Sequence, residues 1–343
     1  MNFGNITIKD ISKALNISIS TVSKALRKSH EISEETQQMV TNYARAHNYH
    51  PNPIAQRLRN GVSKTIGVIV SNFDNNFFSQ VLNGIESVAH QKGYIVIIAQ
   101  SHEFYEQENN ALKSIINRSI DGLLVTLSAE TADVSHFKKL KNIGFPFVFF
   151  DRVTDEIDTH KVVCNNFLGA YKATEHLIRQ GYKRIAHITS SNNLSITLER
   201  LKGYLKALED NNIRENERFI KYCLHDGMIE KETEQAVTEL LSLPEKPDAI
   251  FTASDRLTTG TFSIMHRLKV AIPKEIALIG FTNSISAEVF GPPLSAIVQP
   301  SFTMGEEAVK LLIQLIESKR KPFSYDEKIL DPELIVRESS TKI

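Results

Sequence analysis

From Lys64 onward the chain alternates short apolar runs with helix-length amphipathic segments, and few folds accommodate that order. The strand-like runs are 66–70, 94–99, 122–127, 147–150, 161–164, 185–189, 249–252, 277–280 and 296–299. Near-continuous apolar strands separated by helices call for parallel sheets covered on both faces. Nine such strands suit two wound α/β lobes better than one sheet. We place the crossover near residue 163 and a return near 293. The body is then 64–343, with lobe 1 about 64–163 plus 293–324 and lobe 2 about 164–292 plus 325–343. In such sheets a ligand lies beyond the carboxyl ends of the strands. Waiting there are Asn72 and Asp74, Ser101, Asp151-Arg152, Asn165, Ser190-Ser191, Ser254-Asp255 and Thr282-Asn283. Taken singly, each is as readily a loop residue or helix cap. Their recurrence on facing edges of two lobes makes a cleft that can close by hinge motion.

The first 50 residues follow another rule. Thr7 caps a helix with Asp10 three residues on, and Ile8, Ile11, Ala14 and Leu15 share one face. Asn16-Ile17 is a short break. Ser18 caps a second helix running to about Arg27, with Val22, Ala25 and Leu26 inward and Ile19, Ser20, Thr21, Ser23 and Lys24 outside or near its start. Ser33, followed by Glu34 and Glu35, opens a third helix that buries Val40, Tyr43 and Ala44. Two short helices joined by a tight turn are the helix-turn-helix arrangement, whose second helix meets base edges in the major groove. Charge agrees. Residues 1–60 hold eight Lys and Arg against four Asp and Glu, a net of +4 balanced by −4 in the remainder. A basic head on an acidic body suits a module made for a polyanion. We divide the chain into a DNA-binding domain at 1–50, a hinge and linker at 51–63, and the body.

Other classes find little support. The chain carries no G-x-G-x-x-G, G-x-x-x-x-G-K, H-E-x-x-H or G-x-S-x-G motif, and its eleven histidines show no ligand spacing. We therefore expect no catalysis, no metal and no cofactor. Cys164 and Cys223 are isolated, as fits idle thiols in a reducing compartment. No run reaches the roughly 18 apolar residues of a membrane span, and the first ten residues lack a secretion pattern. The expectation is a cytoplasmic protein without a membrane partner.

These residues lead to a resemblance. Thr7-Ile-Lys-Asp-Ile-Ser-Lys-Ala-Leu15, Ser20-Thr-Val-Ser-Lys-Ala-Leu26 and Tyr49-His-Pro-Asn-Pro-Ile-Ala-Gln-Arg-Leu58 resemble the LacI/GalR family of bacterial repressors. So do Ile66-Gly-Val-Ile69, Phe77-Phe78, Asp121-Gly-Leu-Leu124, Asp151-Arg152, Glu199-Arg-Leu-Lys-Gly-Tyr204 and Pro332-Glu-Leu-Ile-Val-Arg-Glu-Ser339, in the family's order along essentially the whole chain. The resemblance implies a helix-turn-helix head before a periplasmic-binding-protein-like body. It also implies a homodimer on a palindromic operator, most often repressing, and a small-molecule effector of sugar or related type in the cleft. Ile19, Ser20 and Lys24 would read bases, while Ser18, Thr21 and Ser23 would hold phosphates. Residues 52–58 resemble the hinge helix, with Ala55 in the minor groove and Leu58 wedged into the central step. Polar neighbours Arg57, Arg59, Asn60 and Gly61 leave Leu58 in need of such a partner. Effector contacts would fall on Asn72, Phe77, Asp151, Arg200, Asp255 and Thr282.

Two departures matter. Lys24 stands where the family usually has arginine, so a guanine contact there lacks the rigid fork and discriminates by less than the roughly 1–3 kcal/mol of a bidentate pair. Gly280-Phe-Thr-Asn283 replaces Gly-Phe-Asp-Asp, and Thr282 weakens the case for a carbohydrate, since that aspartate commonly bonds sugar hydroxyls. Arg200 could clamp a carboxylate or phosphate as readily as a hydroxyl. The competing readings are a solute-binding protein of a transport system and an α/β enzyme with a DNA-binding head. The basic head speaks against the first, the missing motifs against the second.

Overall fold

The computed structural model describes residues 6–49, 63–191, 194–318 and 323–342. The chain forms two compact units, Met1–Ser63 and Lys64–Ile343.

In the first unit the caps set the helices. Thr7 and Asp10 form a reciprocal capping box that starts α1 (Ile8–Leu15), and Asn16 ends it in the left-handed conformation. The Ser18 side chain accepts from the Thr21 amide to start α2 (Ile19–Leu26), and Ser33 does the same for α3 (Glu34–Ala46). Each such cap contributes about 1 kcal/mol, which matters for helices only two or three turns long. Ile11, Val22, Ala25, Val40 and Ala44 form the buried core, flanked by half-buried Ile8, Leu15, Leu26 and Tyr43. Ala14, expected inward, is exposed: the α1 stripe runs through Ile8, Ile11 and Leu15, and Ala14 lies beyond its edge.

The second unit holds two six-stranded sheets. One contains β1 (Thr65–Val70), β2 (Ile95–Gln100), β3 (Gly122–Val125), β4 (Phe147–Phe150), β5 (Lys161–Cys164) and, much later, β11 (Glu327–Leu330), in the order β11-β5-β4-β3-β1-β2. The other contains β6 (Ile185–Thr189), β7 (Ile220–Tyr222), β8 (Ala249–Thr252), β9 (Ala277–Phe281), β10 (Ser295–Val298) and β12 (Glu333–Ile335), in the order β12-β10-β9-β8-β6-β7. All pairings are parallel except that of β10 with β12. The central strands are buried along their whole length, because helices cover both faces. The helices are α4 (Asn76–Gln91), α5 (Tyr105–Ile116), α6 (Ser135–Asn142), α7 (Asn166–Arg179), α8 (Ser195–Asp210), α9 (Glu230–Leu241), α10 (Asp255–Arg267) and α11 (Ser301–Glu317). α4 and α11 pack so closely that a Cβ on Gly84 would lie 2.0 Å from the Phe302 carbonyl oxygen, and one on Gly305 2.1 Å from that of Val81.

Two expectations are corrected here. β10 stays in the second sheet, so the return to the first lobe falls between Val298 and Ser301 rather than near 293. β11 pairs with β5, so residues 327–330 belong to the first lobe, and the chain crosses a third time before β12. The apolar run of β10 reads the same whichever sheet takes it, and β11 is a half-exposed edge strand with a weak apolar signal. β7, β11 and β12 went unread for that reason. Among the described residues no helix is long and apolar enough to cross a membrane.

Candidate functional site

In the first unit the first turn of α2 is an exposed polar face. Ser18 Oγ accepts from the Thr21 amide at 3.0 Å and lies 2.7 Å from Ser20 Oγ and 2.8 Å from Thr21 Oγ1. Ile19 follows Ser18 at the start of this turn and is 45% exposed, a large apolar side chain open to solvent. Thr21, Ser23 and Lys24 are half-buried. Lys24 forms an ion pair with Glu31, a residue the sequence reading did not single out, and that bond holds the Glu31 carboxyl below its ordinary range. Ala55 and Leu58 lie outside the described residues.

In the second unit the carboxyl ends of the strands carry a concentration of buried polar groups. Asp151 follows β4 in a left-handed conformation (φ 60°), unusual for a non-glycine residue and a mark of a constrained site. Burial pushes its carboxyl up, against the pull of Arg152 and Arg200. Arg152 is buried and bonds Glu103 on its own lobe and Asp226 of the other lobe, the latter at 3.3 Å. Burial opposes its charge, yet the three nearby acids outweigh that and push its pKa up. Its Nε has no hydrogen-bond partner among the described residues, nor do the buried hydroxyls of Ser101, Thr126, Thr189 and Ser190. Such groups are costly to bury unmatched and suit a site that supplies partners to a ligand.

Arg200 projects from α8, buried, with Nε donating to Asn166 Oδ1 at 2.8 Å, another nitrogen to the Ala253 carbonyl, and its guanidinium 3.9 Å above the Phe281 ring. Burial pulls its pKa down while Asp151 pulls it up. Asp255 accepts from the Thr282 hydroxyl, which itself accepts from the Ser284 amide at 3.0 Å; burial pushes the Asp255 carboxyl up. Asn72 is half-buried, with its Oδ1 3.4 Å from the Asp74 amide, and Phe77 packs in the first lobe's core with its ring 5.1 Å from that of Phe78. Neither hydrogen-bonds the other four expected residues. The lobes also meet through Arg256 and Asp74, through Asn283 and Gln80 at 3.0 Å, and through an apolar contact of Ala129 with Leu194 and Ile196. Glu103, Asn166 and Asp226 were not foreseen: they sit in loops or at a helix start, and only the fold brings them to the site.

A helix-turn-helix unit in one chain with a two-lobed α/β unit that has a polar cleft defines a ligand-responsive DNA-binding regulator. Residues 7–52 match the bacterial regulatory proteins of the lacI family, and residues 174–340 match the periplasmic binding protein-like domain. The chain is 31% identical over 340 residues to the HTH-type transcriptional repressor PurR of Vibrio vulnificus, covering 98% of this chain and 99% of that protein. Among solved structures, a complex of the transcriptional regulator CelR with cellobiose superimposes with a TM-score of 0.72 at 25% identity, covering 98% of this chain and 100% of that one. The lac repressor dimer bound to operator and the anti-inducer ONPF gives 0.84 at 22% identity over 98% of this chain and 100% of that one, a likeness of fold. The chain belongs to the LacI family of bacterial regulatory proteins and is a DNA-binding transcriptional repressor of that family.

Proposed function

We propose that the protein is a cytoplasmic, non-enzymatic repressor that binds a palindromic operator as a homodimer and is switched by a neutral, hydroxyl-rich ligand between its lobes. The base-reading residues are Ile19, Ser20 and Lys24; Ser18, Thr21 and Ser23 hold phosphates, and Ala55 and Leu58 enter the minor groove. Asn72, Phe77, Asp151, Arg200, Asp255 and Thr282 make the ligand site. The observation that carries the ligand reading is the set of unpartnered buried hydroxyls at the strand ends of both lobes, Ser101, Thr126, Thr189 and Ser190.

Charge narrows the ligand class. Arg152 is already paired with Glu103 and Asp226, which leaves little of its charge for a carboxylate or phosphate. Arg200 already serves Asn166, the Ala253 carbonyl and the Phe281 ring, and is not free to clamp an anion. The cellobiose complex of CelR agrees with a carbohydrate.

The dimer reading rests on two sheet edges that no described strand covers. β2 and β7 occupy the same terminal place in their sheets, and each presents apolar side chains: Ile95, 57% exposed, and Ile98 on β2; Tyr222 and, just after β7, Leu224, 60% exposed. Bare apolar edges favour association. A second copy covers both with one two-fold operator, and the same symmetry places two heads on a palindrome.

Selection of random duplex DNA by the full-length protein at two salt concentrations tests this. A palindrome with half-sites about one helical turn apart is expected. Recovery of unrelated sequences with purely salt-dependent binding would reject it. For the ligand, thermal shift with neutral oligosaccharides against sugar phosphates should favour the neutral set. Operator DNA must then alter the ligand's affinity by the factor by which the ligand alters the operator's.

A further inference from the structure

We propose that Glu31 is a specificity-determining residue, turning Lys24 from a general phosphate-seeking cation into an oriented reader of guanine. The proposal rests on α2 being the base-reading helix.

Lys24 lies in the last turn of α2, and Glu31 lies seven residues on, in the loop leading to α3. That loop is held in place. Lys28 takes a left-handed conformation, the Ser29 amide returns to the Lys24 carbonyl at 3.1 Å, and the Ile32 amide closes on the Ser29 carbonyl at 3.1 Å. Gln37 reaches back from α3 and donates to the carbonyls of Ser29 at 3.0 Å and Ile32 at 2.9 Å, bracketing Glu31 from both sides. The head has other cations, Lys9, Lys13, Arg27, Lys28 and Arg45. Among the described residues of the head, only Lys24 forms an ion pair. The acid is matched to the one lysine at a base-reading position.

Lysine is a point charge on a flexible stem, and against DNA of any sequence such a charge finds a phosphate. Glu31 changes this in two ways. It cancels the long-range attraction, because a phosphate approaching the ammonium also approaches the carboxylate. It also takes one of the ammonium's three N–H donors and fixes its direction, leaving two for neutral acceptors. Guanine offers two in the major groove, O6 and N7. Charge attraction to phosphate falls steeply with the pairing, while donation to a neutral base edge keeps most of its strength. Glu31 thereby supplies part of the orientation that arginine's planar fork would have provided.

The test compares wild type, Glu31→Gln, Lys24→Met and the double variant of the full-length protein. Each is titrated at two salt concentrations against the selected operator and mixed-sequence duplex. Glu31→Gln is expected to tighten mixed-sequence binding by about fivefold per head, with a salt slope steeper by about one ion. Operator binding should tighten less, so the ratio between the two falls. With Lys24→Met in place, Glu31→Gln should leave that ratio unchanged. Equal tightening on both DNAs would show Glu31 to be bulk negative charge only and overturn the proposal, as would a fall in the ratio that persists without Lys24. A wild-type protein that selects no sequence removes the base-reading helix itself, and with it this role for Glu31.

Discussion

The head and the cleft each hold an arginine or lysine against acids, and the two arrangements differ in what they cost to break. Lys24 and Glu31 sit near water, about half exposed. An exposed pair of that kind contributes little net stability, so it can be rearranged at the DNA surface without unfolding anything. Arg152 is buried between Glu103 and Asp226, and the acids are mostly covered too. Removing one partner there leaves charge without solvent or counter-ion. The first arrangement is suited to recognition, the second to holding two lobes in one relation.

The largest effect should come from Arg152→Met, which strands Glu103 and Asp226. We expect a loss of roughly 3–5 kcal/mol in urea unfolding of the body at pH 7. Burial raises the Glu103 carboxyl while Arg152 and its other bonds outweigh that and leave it low. A depressed carboxyl contributes stability above its unfolded pKa and loses it as pH falls through the folded value. The gap between wild type and variant should therefore narrow on acidification; a gap constant with pH would break the comparison.

Close packing gives the next effect. Gly305→Ala places a methyl against the Val81 carbonyl, backbone that cannot turn aside, and should cost about 1–3 kcal/mol by the same unfolding measurement. A pH-dependent effect, small near neutrality and growing with acid, belongs to His187, stacked between Tyr204 and Phe251 and pushed down by burial to about 3. Below pH 6.5 the unfolded chain takes up a proton that the folded one refuses, so stability falls as pH drops from there toward 3. His187→Phe should gain on wild type by about 1.4 kcal/mol per pH unit in that window. The smallest expected change is in head stability on Lys24→Met, which should leave hydrogen-exchange protection of the head nearly unchanged at fixed pH. A larger loss would make the pair a structural element of the head.

What could be read from the sequence divides along the same line. The three head helices follow from Thr7, Ser18 and Ser33, because caps and periodicity are local. Nine strands follow from their apolar runs, eight of them interior to the sheets and the ninth, β2, at an edge. The sheet that takes β10 is not written in Ser295–Val298, since pairing is decided by neighbours far away in the chain. Asp151, Arg200, Asp255 and Thr282 could be anticipated from strand ends and resemblance. Glu103 and Asp226 could not, because a loop acid looks alike whether it faces water or an arginine. Glu31 escaped notice for the opposite reason: an exposed acid is ordinary until its partner is seen.

The three crossings between lobes bear on how the protein is made. The head closes its core with residues that have all left the ribosome by Tyr49. The first lobe begins next, yet it lacks α11 over one face and β11 on one edge until nearly the whole chain has been synthesised. Val81, Ile85 and their neighbours must wait for Met304, Ala308 and Leu312 to arrive. During synthesis a finished DNA-reading head is tethered to a lobe whose apolar face is still open, the stage at which a nascent chain most needs a chaperone's cover.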